Sequence, residues 1–370
     1  MIMKGKREKK TIEDCIYKTW IMVDKIQTSE YEKSGTIPVV DQSKSLIAGF
    51  YNGTARHYNW SLPVIIYWDH TNVIKYIDFP FICGADWVKV FSFKEGCDPK
   101  YFYYALSFLK PKTQGYRRHY SLLKEIQIPL PPLEEQKKIV AYLDELNATI
   151  SKLKSEYQSQ LAMLDEMRNS SLDLAFWGSR ERERAYNLNN WKWVKLGEVC
   201  EILDSKRKPI TQKDRIDWPY PYYWATWIVD YVNDYLFDEK LVLIWEDWAK
   251  WGSGDNTAFS VEGKIWVNNH AHVLRPFREQ LCDDFLIYYL LIKDLSEYIT
   301  GTTVPKLNQE KLKNIELPLP DLEMQSQIVS HLDQVHQQIT MLKTQVNSQI
   351  EHCDELWQSS LEKVLTQGME

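Results

Sequence analysis

The feature that most constrains the fold of this chain is an internal repeat of about fifty residues that aligns without a gap. One copy, IQIPLPPLEEQKKIVAYLD, begins at Ile126, and the other, IELPLPDLEMQSQIVSHLD, begins at Ile315, an offset of 189 residues. Identical pairs in the repeat include Pro129/Pro318, Pro131/Pro320, Glu134/Glu323, Gln136/Gln325, Asp144/Asp333, Ile150/Ile339, Lys154/Lys343, Asp165/Asp354 and Ser170/Ser359. A period of this length predicts two large modules rather than a solenoid of small units.

Each copy of the repeat predicts a short strand, a Pro-x-Pro turn and then a long helix. After the prolines, apolar residues recur at alternating steps of four and three, which is the heptad spacing of a coiled coil. The residues that we expect on the helix–helix seam are Ile139, Leu143, Leu146, Ile150, Leu153, Ile328, Leu332, Val335, Ile339 and Leu342. Polar residues interrupt the stripe at Gln160/Gln349 and at Ser171/Ser360. They either fix the register of the seam or face solvent where the stripe drifts.

The segments that precede the two helices are also related, although more weakly. LPVIIYWDH (62–70) parallels KLVLIWEDW (240–248), and YFYYALSFLK (101–110) parallels FLIYYLLIKD (285–294). Short β-rich runs mixed with few helices predict an α+β fold. The chain therefore divides into a first domain (1–128), a first long helix (129–178), a linker (179–190), a second domain (191–317) and a second long helix (318–368).

Charge is distributed unevenly along the chain, although the formal net charge is only −6. Residues 1–125 carry 19 Lys and Arg against 13 Asp and Glu, whereas residues 315–370 carry 2 against 9. A basic globular part beside acidic helices is compatible with DNA on one side of the molecule and protein partners on the other.

Composition and motifs exclude several classes of protein. No stretch approaches the roughly 18 apolar residues of a membrane span, and the basic start MIMKGKREKK lacks the apolar core of a signal peptide. The six cysteines are scattered without a CxxC pair, which is typical of free thiols in the cytoplasm and argues against a zinc site. His270 and His272 would share one face of a strand but lack a third metal ligand, so we interpret them as packed or DNA-facing. No GxGxxG follows a predicted strand, so we expect no methyltransferase core.

The duplicated IPLPPLEEQKKIVAYLD and LPLPDLEMQSQIVSHLD, each following an α+β domain, resemble the specificity subunit of type I restriction–modification enzymes. WKWVKLGEVCEI (191–202) is similar to the opening of a target recognition domain in that family. NNHAHVLRP (268–276) is similar to a later strand, and GTIPVVDQ (35–42) to an early one. The first domain departs from the family pattern, because KKTIEDCIYK stands where Trp-x-x-x-x-Leu-Gly is usual. Its first strand is therefore less well defined by the sequence.

The resemblance implies a non-catalytic subunit that reads DNA. In this family each target recognition domain reads one half of a split, asymmetric site of double-stranded DNA. The two long helices pack antiparallel with pseudo-two-fold symmetry, set the spacing of the halves and dock two modification (methyltransferase) subunits. Restriction (translocase–nuclease) subunits complete the complex. The resemblance therefore places S-adenosylmethionine, Mg²⁺ and ATP on the partners rather than on this chain. The implied setting is the cytoplasm, without a membrane, and the implied role is DNA methylation and defence against foreign DNA.

Tryptophan is unusually frequent in this chain, with 15 residues against 14 glycines. In the family that the chain resembles, glycine is usual at positions corresponding to many of its turn-like tryptophans. With two further residues in similar turn contexts, these positions are Trp20, Trp60, Trp68, Trp87, Trp218, Trp224, Trp227, Trp245 and Trp248. Such turns are expected to need positive φ, which favours glycine. We hypothesise that the gene uses UGA codons that mean glycine; the alternative is that real tryptophans pack in the domains or stack on DNA bases.

Basic loop residues are the candidate phosphate contacts, because lysine and arginine neutralise the DNA backbone and position the duplex. They are Lys44, Arg56, Lys110, Lys112, Arg117, Arg118, Lys206, Arg207, Lys208 and Lys306. The best clusters are SKRKP (205–209) and YRRHY (116–120), although an ordinary solvated charge is the alternative for each residue. Candidate base-edge readers, which can hydrogen-bond to bases, are Gln42, Ser43, Asn256, Thr302 and Thr303.

Two other functions compete with the DNA-reading subunit. One is a coiled-coil scaffold whose globular domains bind protein. The other is a self-contained DNA-cleaving enzyme, which would need carboxylate clusters with metal-ligand spacing that the sequence does not display. The gap-free repeat and the family resemblance favour the DNA-binding subunit.

Overall fold

The structure is a computed structural model that describes residues 8–17, 24–84, 88–111, 119–177, 191–215, 219–224, 228–247, 250–301 and 305–366. The chain divides into two compact units. The first unit comprises Met1–Tyr157 with Ser348–Glu370, and the second unit comprises Gln158–Asn347. Each unit therefore contains one globular domain and a part of each long helix. The boundaries drawn from the sequence between domains, helices and linker stay a prediction.

The long helices are α4 (Leu133–Phe176), of 44 residues, and α8 (Leu322–Thr366), of 45 residues. The remaining elements of the first unit are β1 (Glu8–Lys10), α1 (Ile12–Cys15), β2 (Ile16–Tyr17), β3 (Ile37–Val40), β4 (Gly49–Tyr51), β5 (Val64–Trp68), β6 (Val73–Ile77), β7 (Ile82–Cys83), β8 (Val88–Phe93), α2 (Pro99–Leu109), α3 (Tyr120–Leu123) and β9 (Ile128–Leu130).

The second unit repeats this arrangement of short strands and helices. Its elements are β10 (Lys192–Lys195), α5 (Leu196–Val199), β11 (Cys200–Ile202), β12 (Tyr220–Tyr223), β13 (Ile228–Val232), β14 (Phe237–Asp238), β15 (Leu241–Trp245), β16 (Ala258–Val261), β17 (Lys264–Val267), β18 (Ala271–Pro276), α6 (Asp283–Ile292), β19 (Ile299–Thr300), β20 (Lys306–Leu307), α7 (Gln309–Lys313) and β21 (Glu316–Leu319). In the part of the chain that the structure describes, no helix is long and apolar enough to cross a membrane.

Corresponding sheets have the same strand order in the two units, except that one sheet of the second unit has an additional edge strand, β14. The main sheet is β2-β8-β5-β6 in the first unit and β11-β18-β15-β16 in the second. Its inner strands β5 and β15 are the apolar runs VIIYW and LVLIW, and burial on both faces explains why they lack polar alternation. A second sheet is β4-β3-β7 in the first unit and β13-β12-β17-β14 in the second. The predicted α+β class is confirmed.

The opening of the first domain forms the same elements as that of the second, although its sequence departs from the family pattern. β1 pairs with β9 just before α4, and β10 pairs with β21 just before α8. A one-turn helix follows each opening strand, and Thr11 and Asp14 close the first of these through a hydrogen bond of 2.7 Å. The polar strand β1 and the Thr11–Asp14 cap therefore stand where the family pattern has Trp and Leu-Gly.

The two long helices pack against each other in opposite directions within each unit. Lys154 forms an ion pair with Asp354 in the first unit, and Lys343 forms one with Asp165 in the second. The two lysines are equivalent in the repeat, and so are the two aspartates. This reciprocity is expected when like surfaces meet in an antiparallel pair.

The ends of the helices also complete the core of each globular domain. In the first unit, Ile139 and Leu143 of α4 join Leu361 and Leu365 of α8 in one apolar cluster with the domain. The second unit has the corresponding cluster, in which Leu172 and Phe176 of α4 meet Ile328 and Leu332 of α8. Burial of this apolar surface holds each domain against both helices.

The predicted seam is confirmed at most positions and wrong at one. Ile139, Leu143, Ile150, Ile328, Leu332 and Ile339 are at most 5% exposed, and Leu146, Leu153 and Val335 are half-buried. Leu342, by contrast, is 45% exposed. A straight helix drifts by about 20° per heptad, so the neighbouring Lys343 reaches Asp165 instead.

The polar interruptions of the stripe have two different explanations. Gln160 and Gln349 are exposed, which agrees with the solvent-facing alternative. Ser360 is only 7% exposed, and the hydroxyl of Ser171 lies 3.3 Å from Nε2 of His336 on the facing helix. These two serines therefore face the packed interior.

Candidate nucleic-acid interface

A buried glutamine joins the first globular domain to its long helix. Gln136, in the first turns of α4, is fully buried. Its Nε2 donates to the carbonyls of Pro131 at 2.8 Å and Gly96 at 2.9 Å, and its Oε1 accepts from the backbone N–H of Asp98 at 2.8 Å. Asp98 is the N-cap of α2. One side chain therefore fixes the Pro-x-Pro turn, α2 and the start of α4 together.

The second unit has the same arrangement at the equivalent glutamine. Gln325 is also fully buried. Its Nε2 donates to the carbonyls of Pro320 at 2.9 Å and Gln280 at 2.8 Å, and its Oε1 accepts from the backbone N–H of Cys282, the N-cap of α6, at 2.7 Å. We call these two residues the glutamine clamps. A buried amide that loses a hydrogen-bond partner lowers the stability of the fold. The clamps therefore favour a single arrangement of domain and helix.

A tyrosine–aspartate hydrogen bond adds a second tie between domain and helix in each unit. The hydroxyl of Tyr104 donates to Asp144, which also accepts from Nζ of Lys100 at 2.7 Å. The hydroxyl of Tyr288 donates to Asp333. Burial and the facing carboxylate raise the pKa of both tyrosines, so each remains a protonated donor. The glutamines and aspartates are identical pairs of the repeat, but identity alone does not predict these contacts.

The predicted cluster SKRKP contains residues in two different states. Lys206 and Lys208 are exposed. The side chain of Arg207 is only 12% exposed and forms an ion pair with Glu246, while its Nη1 also donates to the carbonyl of Ala271 at 2.7 Å. Arg207 is therefore engaged inside the second domain, and only its neighbours are presented to solvent.

Arg207 belongs to an ionic cluster of five residues: Asp204, Arg207, Glu246, His272 and Lys306. Lys306 reaches Glu246 at 2.8 Å, and the fully buried His272 contacts Asp204 at 2.6 Å and the carbonyl of Leu307 at 2.7 Å. Burial alone would raise the pKa of Asp204, but the hydrogen bond from His272 and the nearby cations lower it. Burial would likewise raise the pKa of Glu246, and hydrogen bonds from Lys306 and Arg207 lower it. The carboxylates are therefore held ionised.

His270 lies outside this cluster, at the turn before β18. Its Nδ1 is 2.8 Å from Asp247, and its ring stacks under Trp224 with centroids 4.7 Å apart and an interplanar angle of 14°. Trp224 is 39% exposed. No group of His, Cys, Asp and Glu arranged to hold a metal ion occurs among the described residues. The pair instead presents an aromatic face, which nucleic acid bases can stack on.

A protein-family model described as "Type I restriction modification DNA specificity domain" matches residues 7–161 and 189–352. The chain belongs to this family. The two matched regions contain the two globular domains, the greater part of α4 and most of α8, so the duplication seen in the sequence is a duplication of the specificity domain.

Curated members of the specificity family are similar to the chain over different lengths. A putative type I specificity subunit of Haemophilus influenzae is 37% identical over 145 residues, and the match spans 38% of this chain and 36% of that relative. The EcoR124I/EcoR124II specificity subunit of Escherichia coli is 25% identical over 349 residues, 83% of this chain and 81% of the relative. The MjaVIII specificity subunit of Methanocaldococcus jannaschii is 26% identical over 339 residues, 78% and 75% of the two chains.

Solved structures of the specificity family share the fold. A chain from a study of complex assembly and conformational transition of the type I R-M system superposes with a TM-score of 0.72 at 20% identity, covering 97% of both chains. The HsdS subunit of Thermoanaerobacter tengcongensis gives 0.51 at 18% identity, covering 97% of this chain and 93% of the other.

The other candidate DNA contacts are either exposed, engaged by another side chain, or outside the described residues. Lys44 is exposed beside the equally exposed Gln42 and Ser43. Arg56 is paired with Asp24 at 3.2 Å, although its side chain is 64% exposed. Asn256 accepts weakly from Arg168 at 3.5 Å. Lys112, Arg117, Arg118, Thr302 and Thr303 lie outside the described residues.

The expected positive φ does not occur at the tryptophans that the structure describes, whereas the codon hypothesis itself stays a hypothesis. Trp68 and Trp245 are the last residues of strands β5 and β15, not turn residues. Trp60 and Trp224 occupy exposed bends. Among the described non-glycine residues, positive φ occurs at Ser61 and Asn72, so backbone conformation does not require glycine at these four tryptophans. The other positions, Trp20, Trp87, Trp218, Trp227 and Trp248, lie outside the described residues.

Proposed function

We propose that this chain is the non-catalytic, sequence-specific DNA-binding subunit of a type I restriction–modification complex. The observation that carries the proposal is the family match over both halves of the chain, each half containing one domain with the same strand order. Each domain reads one half of a bipartite, asymmetric DNA site. Because the two domains differ in loop sequence, the two half-sites differ as well.

The long helices set the spacing between the half-sites. A helix is a stiff element of 1.5 Å rise per residue, and the glutamine clamps tie each domain to it through hydrogen bonds of the buried side chains to domain backbone groups. A domain held in this way has little freedom to rotate or slide, so the distance between readers depends on helix length.

The same helices dock two methyltransferase subunits, and restriction subunits join the complex through them. In the second unit, Met163, Met167, Met341 and Leu342 are 45–61% exposed on the two helices. Exposed methionine and leucine side chains are typical of surfaces that bind other proteins. S-adenosylmethionine, Mg²⁺ and ATP belong to these partners, and the complex works in the cytoplasm.

Exposed lysines contact the DNA backbone. Lys44 in the first domain and Lys206 and Lys208 in the second are exposed. Arg56 is also exposed, although it pairs with Asp24, and Lys306 contributes the exposed part of its side chain. Phosphate contacts position the duplex, while loop side chains and the exposed Trp224 face supply contacts to bases.

The experiment is single-molecule methylome sequencing of host cells with and without this gene. We expect one split, asymmetric motif to be methylated in the presence of the gene and unmethylated after its deletion, with restoration by a plasmid copy. Persistence of every methylated split motif in the deletion strain would contradict the proposal.

A further inference from the structure

A lysine-lined cleft lies in the first unit, between β6, α2 and α4. Its volume is about 750 Å³, and its walls include Lys44, Lys75, Lys100 and Lys110. A volume of this size falls in the range of sites that bind small organic molecules. The cleft is formed entirely by residues of the first unit.

The cleft carries an excess of positive charge. Asp144 is its one lining carboxylate, and it is already engaged by Lys100 at 2.7 Å and by the hydroxyl of Tyr104. Lys44, Lys75 and Lys110 therefore have no carboxylate of the lining to neutralise them.

Two of these lysines are withdrawn from water. Lys75 is 6% exposed and its Nζ donates to the carbonyl of Ser45; Nζ of Lys110 donates to the carbonyl of Asn72 at 3.1 Å. In the described parts of the chain, neither forms an ion pair. Burial lowers the pKa of both ammonium groups, and the more distant Asp41 only partly opposes this for Lys75. An ammonium has three donors, so an anion in the cleft would supply acceptors and charge that a lone carbonyl does not.

Tyrosine rings form the other wall of the cleft. Tyr76 and Tyr103 are half-buried with ring centroids 6.2 Å apart, and Nζ of Lys100 lies 5.5 Å from the ring of Tyr76. The cleft therefore places aromatic ring surface next to ammonium groups, an arrangement that suits a ligand with both an anionic and an organic part.

We propose that this cleft binds a phosphate-bearing ligand, with the phosphate on Lys44, Lys75 and Lys110 and the organic part against the tyrosines. Lysine binds phosphate as a point charge without strict geometry. The occupant is a free nucleotide, because the tyrosine rings offer its base an apolar surface beside the lysines; contact with the backbone of bound DNA is an alternative outcome of the test. This proposal does not depend on the proposed recognition of a DNA sequence by the chain.

Calorimetric titration of the full chain tests the proposal with three probes: inorganic phosphate, AMP and a random-sequence duplex, at constant ionic strength. Lys75→Gln and Lys110→Gln should each weaken binding of the probe that occupies the cleft by about tenfold or more, since each removes a charge-assisted hydrogen bond. Lys94→Gln is the matched control, because Nζ of Lys94 also donates to a backbone carbonyl, that of Asp14 at 2.7 Å, but lies outside the cleft.

Comparison of the affinities for the three probes identifies the ligand that occupies the cleft. Binding of AMP more tightly than of phosphate, lost in both cleft variants, supports the proposal; loss of duplex binding alone overturns it, because the cleft would then be part of the DNA contact already proposed. The proposal is overturned when no probe binds, or when Lys94→Gln weakens binding as much as the cleft variants. Circular dichroism checks folding, and if Lys75→Gln fails to fold, Lys44→Gln, at an exposed position, takes its place. A negative result in this titration would not contradict sequence-specific methylation, which the methylome experiment tests separately.

Discussion

Glu246 shows how single residues hold the second domain together. Its carboxylate accepts from Arg207 and from Lys306, and all three come from different elements. A buried charge that loses its partner costs more than the pair itself contributes, because the remaining charge stays desolvated. The cluster is therefore sensitive to loss of any one member.

Glu246→Gln is expected to lower the free energy of unfolding by about 3 kcal/mol, since it leaves Arg207 buried with reduced compensation. Urea unfolding measures this value. Glu262→Gln is the matched control at an exposed position of the same domain and should change stability by less than about 0.5 kcal/mol. Equal effects of the two substitutions would contradict the assigned role of the cluster.

The same cluster predicts a dependence of stability on pH. The folded-state pKa values of Asp204 and Glu246 lie below their ordinary values of 3.8 and 4.5. Their contribution is therefore fully present above those ordinary values and is lost as the pH falls through the folded-state pKa values. The slope of stability against pH in this acid range should be shallower in Glu246→Gln than in the unmodified chain.

The tryptophan positions yield a second residue-scale prediction. Trp68 is 1% exposed and packs in an apolar cluster, but its buried indole N–H has no hydrogen-bond partner among the described atoms. An unsatisfied buried donor is unfavourable, which keeps the codon hypothesis open at this position. If the nine tryptophans are glycines, the intact mass of the protein from its native host will be lower by nine Trp-to-Gly differences. A mass that matches the printed sequence would eliminate the hypothesis.

At the scale of elements, the glutamine clamps explain why the repeat contains a glutamine just after its prolines. Each amide makes three hydrogen bonds to backbone groups: one at the N-cap of a domain helix, one in the loop before that helix and one at the Pro-x-Pro turn. The clamp therefore sets the angle between domain and long helix.

Gln325→Ala is expected to destabilise the chain by about 2 to 4 kcal/mol, because backbone groups of Pro320, Gln280 and Cys282 lose their partner. Thermal and urea unfolding measure the loss. The control is Gln349→Ala on the same helix, where the side chain is exposed and the change should be below about 0.5 kcal/mol. The clamp has no structural role if the two variants unfold alike.

Two leucines of the heptad stripe, which the sequence pattern treats alike, are packed differently in the structure, and this difference can be tested. Leu332 is fully buried and Leu342 is 45% exposed, although both belong to the sequence stripe. Leu332→Ala should cost about 3 kcal/mol, whereas Leu342→Ala should cost less than about 1 kcal/mol. The difference is read from denaturation midpoints of the two variants, and a larger cost at Leu342 would refute the observed register.

At the scale of the whole molecule, the proposed function divides DNA recognition between two exchangeable domains. Each domain has its own core, formed with helix residues of its own unit. A domain with an independent core can be replaced without disturbing the other.

Replacement of residues 191–317 by the corresponding domain of another specificity-family member is expected to change one half of the methylated motif and to leave the other half and the gap unchanged. Methylome sequencing of cells that carry the hybrid measures this. Reinsertion of the original domain is the control. A hybrid that changes both halves would contradict independent reading by two domains.

Much of the fold could be predicted from local signals. Heptad spacing located both long helices, and the apolar runs VIIYW and LVLIW marked the inner strands of the main sheets. The site was less predictable. Arg207 and Lys206 are adjacent and equally basic in sequence, but only the structure distinguishes the engaged residue from the exposed one, because Glu246 lies 39 positions along the chain.

The sequence by itself determined the number of modules, their order, their long helices and their similarity to each other. Periodicity is a property of neighbouring residues, and internal identity is a property of aligned copies, so both can be seen without the structure. The tertiary structure alone decided which charges are neutralised, that Leu342 leaves the seam, and that lysines from positions 44 to 110 meet around one cleft. Burial and ion pairing depend on contacts between residues far apart in the chain, and no local pattern contains them.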